Sequence, residues 1–171
     1  GSMSILMSVM QMITIPVQGI TQGIQPIISY NYGAGNKERV KATMKRMILV
    51  CLTGTLLLAG VAIFAPQIYT GLFTDNKGLL ELTCKVMPVY FLGISIFGIQ
   101  CACQTSFISL GQAKVSLFIA LLRKIIPLAV ILPKFMGVMG IYRAEPIADV
   151  ISVLTTSAVF IITVKKVLRN M

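Results

Sequence analysis

Met47-Ile-Leu-Val-Cys-Leu-Thr-Gly-Thr-Leu-Leu-Leu-Ala-Gly-Val-Ala-Ile-Phe-Ala65 runs for 19 residues without a charged side chain, and the uncharged stretch continues to Tyr69. A bilayer core about 30 Å thick is crossed by roughly 20 apolar residues of helix, so this run alone reads as a membrane span. On either side of it the pattern repeats. The 36 residues before Lys37 carry no charge, Val86 to Ala113 is a second long uncharged run, and Val150 to Val164 is a shorter one before a basic tail. Over all 171 residues, 56% are hydrophobic and 12% charged, with a mean hydropathy of +0.88. An ordinary soluble domain carries about 25% charged residues. The fold class expected is therefore all-α: a polytopic transmembrane helical bundle of about five spans, near residues 4–35, 47–65, 86–109, 115–136 and 146–164. These form a single domain over 4–171. Residues 1–3 read as an expression scar, and no basic segment followed by a short apolar stretch and cleavage site marks a signal peptide.

Net charge is +10, but the cations sit at the ends of apolar runs rather than on one solvated face. That placement excludes a nucleic-acid binder and fits the positive-inside rule. Residues 37–46 carry five positive charges against one negative. Lys114, Arg123 and Lys124 follow the third run, and Lys165, Lys166 and Arg169 close the chain. The intervening stretch with Asp75, Lys77, Glu81 and Lys85 sums to zero. The expectation is a multi-pass protein of the cell membrane with its basic loops and carboxy terminus in the cytoplasm. Arg123 and Lys124 are expected to snorkel outward from a helix whose first third lies at the headgroups.

Within the first span, Pro16 and Pro26 are expected to interrupt the helix, which a membrane tolerates only where protein or water satisfies the freed backbone groups. Gln18, Gln22 and Gln25 recur at i, i+4 and i+7, placing three amides on one face. Pro88 is expected in the first turn of the third span, and residues 137–140 are expected to form a turn. Cys51, Cys84, Cys101 and Cys103 read as small membrane-helix residues, and Met7, Met10 and Met12 as apolar filler. With no His and five acids, metal-site and His-based catalysis are not expected, and the chain does not read as an enzyme.

Two strings carry a family likeness. Gly23-Ile-Gln-Pro-Ile-Ile-Ser-Tyr-Asn-Tyr-Gly-Ala-Gly-Asn-Lys-Glu-Arg-Val40 pairs a helix break at Pro26 with the permissive backbone of Asn31, Gly33 and Gly35, then an Asn36 cap and the cation Arg39. It resembles the end of the second helix in each half of multidrug and toxin extrusion (MATE) transporters. There a Gly-x-x-Pro break precedes a glycine-rich cytoplasmic turn and a cation. Gly137-Val-Met-Gly-Ile-Tyr-Arg-Ala-Glu-Pro-Ile-Ala-Asp149, with Leu132-Pro133 before it, is similar to the approach to the last helix of the carboxy-terminal MATE lobe. Arg143 departs from it, that position being more often apolar.

The resemblance implies helices eight to twelve of twelve, with a missing amino-terminal lobe as partner. It implies no cofactor, a proton or sodium gradient as driving force, and export of small amphipathic, often cationic, drug-like substrates. Sodium-coupled members carry an acid in the tenth helix. This chain has none between Val86 and Ala113, so sodium coupling through that acid is not supported.

Glu145 and Asp149 lie at i, i+4. Two carboxylates in a low-dielectric cavity repel and would favour exchanging a proton or another cation. The alternative is that acids at a helix start merely favour its dipole. Gln100 and Gln104 repeat the amide spacing, either as glue between helices or as cavity lining. Three functional readings follow: a fragment of a secondary multidrug antiporter, inactive alone; a free-standing small membrane protein serving assembly or regulation; or a lipid-linked sugar flippase of the same superfamily.

Overall fold

The structure, a computed structural model, describes residues 1–131 and 137–171, with side chains described at 1–125 and 145–171. Seven helices account for nearly all of it: α1 (Ser2–Gly33), α2 (Lys37–Phe64), α3 (Pro66–Thr70), α4 (Lys77–Ile94), α5 (Phe97–Ser109), α6 (Ala113–Ile131) and α7 (Gly137–Arg169). No strand occurs among the described residues. Four stretches are long and apolar enough to cross a bilayer: Ser2–Gly33, Lys37–Phe64, Lys77–Ser109 and Glu145–Arg169. The remaining expected span begins with α6 and ends at residues outside the described set, as do Leu132 and Pro133; the side chain of Arg143 is likewise outside it.

α1 and the α4–α5 pair run in the same direction. Ser2, at the start of α1, accepts a hydrogen bond from Thr83 near the start of α4 (3.2 Å), while Ser109, at the end of α5, donates to the Gln25 carbonyl late in α1 (3.4 Å). Two tight turns on the same end of the bundle share one geometry. Gly35 adopts φ +70°, with its N–H donating to Tyr32 O and that of Asn36 to Asn31 O at 2.9 Å. Gly111 adopts φ +74°, with its N–H donating to Ile108 O and that of Gln112 to Phe107 O at 2.8 Å. This is the left-handed helix stop that a residue without Cβ makes cheaply. Asn36 then caps α2, its Oδ1 accepting from the Arg39 N–H at 3.4 Å.

Several local expectations change. α1 runs through Pro16 and Pro26 without a break: each proline removes one backbone donor but the flanking turns hold the helix. α4 starts at Lys77, so Pro88 is internal rather than in a first turn, and Lys77, Glu81 and Lys85 belong to a helix rather than a loop. Ser95 and Ile96 then separate α4 from α5 within the expected third span. The basic residues from Lys37 to Arg46 ride the first turns of α2, and residues 137–140 are already helical, so Pro146 lies inside α7.

Burial is arranged as lipid demands. Phe64, Leu57, Leu154 and Ile162 stand on the outside, while Thr55, Ser106, Ser152 and Thr156 are buried. The apolar core joins α1, α2, α4, α5 and the end of α7 through Leu6, Ile13, Met47, Tyr90, Phe91 and Leu168. Small residues set the closest approaches. Gly98 lies directly against the Cys51 carbonyl, and the Ser95 carbonyl, freed where α4 stops, accepts from Thr55 Oγ1 at 3.0 Å. Leu168 packs in the same core as Val40 and Met44. Lys41, Met44 and Lys45 of α2 line a shallow cavity together with Phe160 and Val164 of α7.

Candidate functional site

The polar side chains of this apolar bundle converge on one trough. A cavity of about 510 Å³ is lined by Gln18, Thr21, Gln22 and Gln25 of α1, by Phe97, Cys101, Gln104, Thr105 and Ile108 of α5, and by Arg123 of α6. A second, of about 310 Å³, is lined by Gln100, Gln104, Ala120, Arg123, Lys124, Glu145 and Asp149. Gln104 and Arg123 belong to both, so the two are halves of a single recess. The helical spacing of the three α1 amides puts them along one wall. Of the i, i+4 pair on α5, Gln104 lines both cavities and Gln100 the smaller one.

Asp149 is 5% exposed. Its Oδ1 accepts from Arg123 Nη2 at 3.4 Å, the one ion pair among the described residues. The guanidinium also lies over the Phe97 ring, 4.2 Å from its centroid. A buried carboxylate in a membrane needs such a partner, since an isolated charge in a low-dielectric interior is costly. Gln100 Oε1 accepts from Ser152 Oγ at 3.3 Å, tying α5 to α7, and the same side chain lines the smaller cavity. Asp149 itself is set by close packing. Gly93 of α4 faces α7 so tightly that a Cβ there would fall 2.8 Å from Pro146 Cα and 2.9 Å from Asp149 Cβ.

Of the residues singled out from sequence, Gln18, Gln22, Gln25, Gln100, Gln104, Glu145 and Asp149 all line this recess. Gly23, Pro26, Asn31, Gly33, Gly35 and Arg39 do not. They shape the end of α1 and the turn into α2, where Asn31 Nδ2 donates to the Ile27 carbonyl at 2.8 Å. Arg123 is a correction. Instead of snorkelling outward it points inward, onto Asp149 and the Phe97 ring, while Lys124 beside it stays exposed. Ten residues at 1.5 Å each place Arg123 about 15 Å beyond the start of α6, well inside the helix. A cation at that depth, taken by itself, is the signal that would have found it. Phe97 carries no such signal, since one ring among many apolar side chains is marked only by what lies over it.

The profile of a family described as MatE matches residues 1–133. Among curated proteins, the multidrug export protein MepA of Staphylococcus aureus is 26% identical over 136 residues, covering 78% of this chain and 30% of that protein. MepA of Staphylococcus haemolyticus is 26% identical over 144 residues, covering 79% of this chain and 30% of that protein. The chain thus aligns with under a third of the length of the relatives it matches.

Proposed function

The chain belongs to the MatE family, and from that premise we propose that it forms most of the carboxy-terminal lobe of a cation-coupled multidrug antiporter. It is read as a multi-pass membrane protein with its basic ends in the cytoplasm. The supporting observation is the recess: a buried carboxylate, Asp149, backed by five amides and an aromatic ring inside a bundle whose exterior is apolar. Chemically, that is a site for an amphipathic monocation. The carboxylate supplies the charge, Phe97 a π face, and the amides of Gln18, Gln22, Gln25, Gln100 and Gln104 an adaptable hydrogen-bonding wall.

In this reading Asp149 exchanges its bound cation during transport, and Glu145, a turn closer to the end of the bundle, assists. An amino-terminal lobe supplies the opposite wall of the cleft, since alternating access needs one repeat to rock against the other. The names of the relatives favour drug export over lipid-linked sugar flipping.

Equilibrium binding of radiolabelled tetraphenylphosphonium to the purified chain in lipid nanodiscs tests the site. Binding should be saturable, lost in Asp149→Asn and reduced only mildly in Glu145→Gln. Absent binding, or equal binding by Asp149→Asn, would end this reading.

A further inference from the structure

Arg123 stands where the two halves of the recess meet, and its environment defines what it competes with. In the smaller cavity two cations, Arg123 and Lys124, face two carboxylates, Glu145 and Asp149. Of the two cations only Arg123 is paired with the buried carboxylate, so a monocation that reaches Asp149 must replace that contact. Arg123 is the resident that holds the ligand's contacts. Its Nη2 is 3.4 Å from Asp149 Oδ1 and its Cζ is 4.2 Å from the Phe97 centroid. A carboxylate and a ring face are the two features an aromatic or quaternary ammonium-like cation uses.

Arg123 also has somewhere to go. Its side chain is 28% exposed, and it lines the larger cavity with Gln18, Gln22 and Gln25, whose amide oxygens can accept from a guanidinium.

We propose that Arg123 is a specificity-determining residue, a tethered occupant that a lipophilic monocation must displace from both Asp149 and Phe97. Displacement swings the guanidinium toward the amide wall of α1. This deepens the export reading and rests on it. It also sets the selectivity. A small hydrated cation replaces the charge but not the contact with the ring, and a neutral drug replaces the ring contact but leaves Asp149 without a partner. Only a ligand that combines delocalised positive charge with apolar surface restores both interactions that Arg123 gives up.

The test is tetraphenylphosphonium binding at pH 8 to the purified chain in nanodiscs, comparing the parent with Arg123→Gln, Arg123→Lys and Phe97→Leu. Removing the competitor should tighten binding about tenfold in Arg123→Gln, the scale of one lost charge-assisted, ring-stacked contact. Arg123→Lys, which keeps the charge but holds the ring less well, should fall between Arg123→Gln and the parent. Phe97→Leu should weaken binding. Each variant must elute as the parent does and keep Cys51 and Cys103 protected from a thiol reagent. Should Arg123→Gln fail that check, the ordering of Arg123→Lys above the parent decides.

If the parent binds and Asp149→Asn does not, yet neither arginine variant binds more tightly, the tethered occupant is rejected and the export reading survives. If neither the parent nor any variant binds, both fall together.

Discussion

Gly93→Ala probes how the packing of α4 on α7 sets the position of Asp149. The added Cβ would lie 2.8 Å from Pro146 Cα, 2.9 Å from Asp149 Cβ and 3.0 Å from Pro146 O. Carbon atoms in ordinary contact stay about 3.5–4.0 Å apart. α7 must therefore retreat by about 0.7–1.2 Å at Pro146, and backbone atoms leave no flexible side-chain end to give way. Overpacking of this kind costs about 1–3 kcal/mol. For a chain of this size each kcal/mol is worth about 2–4 °C of melting temperature, so a drop of about 2–12 °C is expected.

The assay uses the buried thiols. Cys51 and Cys103 are buried and free while Cys84 is half-buried, so on a Cys84→Ser background a thiol-reactive fluorophore reports unfolding of the detergent-solubilised protein. The Arg123–Asp149 contact is already at 3.4 Å, and a shift of up to 1 Å at Asp149 is enough to disturb it. Tetraphenylphosphonium affinity should change along with stability. Gly54→Ala is the control, since nothing lies within 4 Å of a Cβ there. Adding helix propensity without a clash should leave the melting temperature unchanged or raise it. A Gly93→Ala protein that melts and binds like the parent would refute the argument.

Other outcomes follow from the same packing and charge. Gly98→Ala should be worse than Gly93→Ala, because its Cβ would overlap the Cys51 carbonyl and approach Thr55 Oγ1 to 2.7 Å; a smaller drop in melting temperature than for Gly93→Ala contradicts this. For topology, Asp75→Cys on a Cys84→Ser background should react with an impermeant thiol reagent in whole cells while Lys41→Cys stays unlabelled, and the reverse pattern would invert the orientation. Residues 3–171 expressed alone should confer no drug resistance on a sensitive host; resistance would show that the chain rebuilds a cleft, by self-association or by borrowing a lobe.

The uncharged runs by themselves determined that this is a helical membrane bundle, because no other backbone arrangement satisfies its hydrogen bonds over such lengths of apolar sequence except a closed barrel, whose alternating pattern is missing. Spacing alone also picked out side chains that line the recess: amides at 18, 22 and 25, amides at 100 and 104, and carboxylates at 145 and 149 are each one face of one helix. Gly35 announced a helix stop for the same local reason.

What one helix faces is not a local property, and there the sequence ran out. Whether prolines at 16, 26 and 88 stop a helix or ride inside it depends on the neighbours that hold the adjacent turns. Whether Arg123 snorkels to the headgroups or turns inward depends on Asp149, 26 residues away along the chain. Gly93 and Gly98 look like ordinary membrane-helix glycines until α7 and α2 are packed against them. The site is assembled from α1, α5, α6 and α7, and only the tertiary structure, by burying a carboxylate where a guanidinium and a ring can reach it, makes those separate faces one recess.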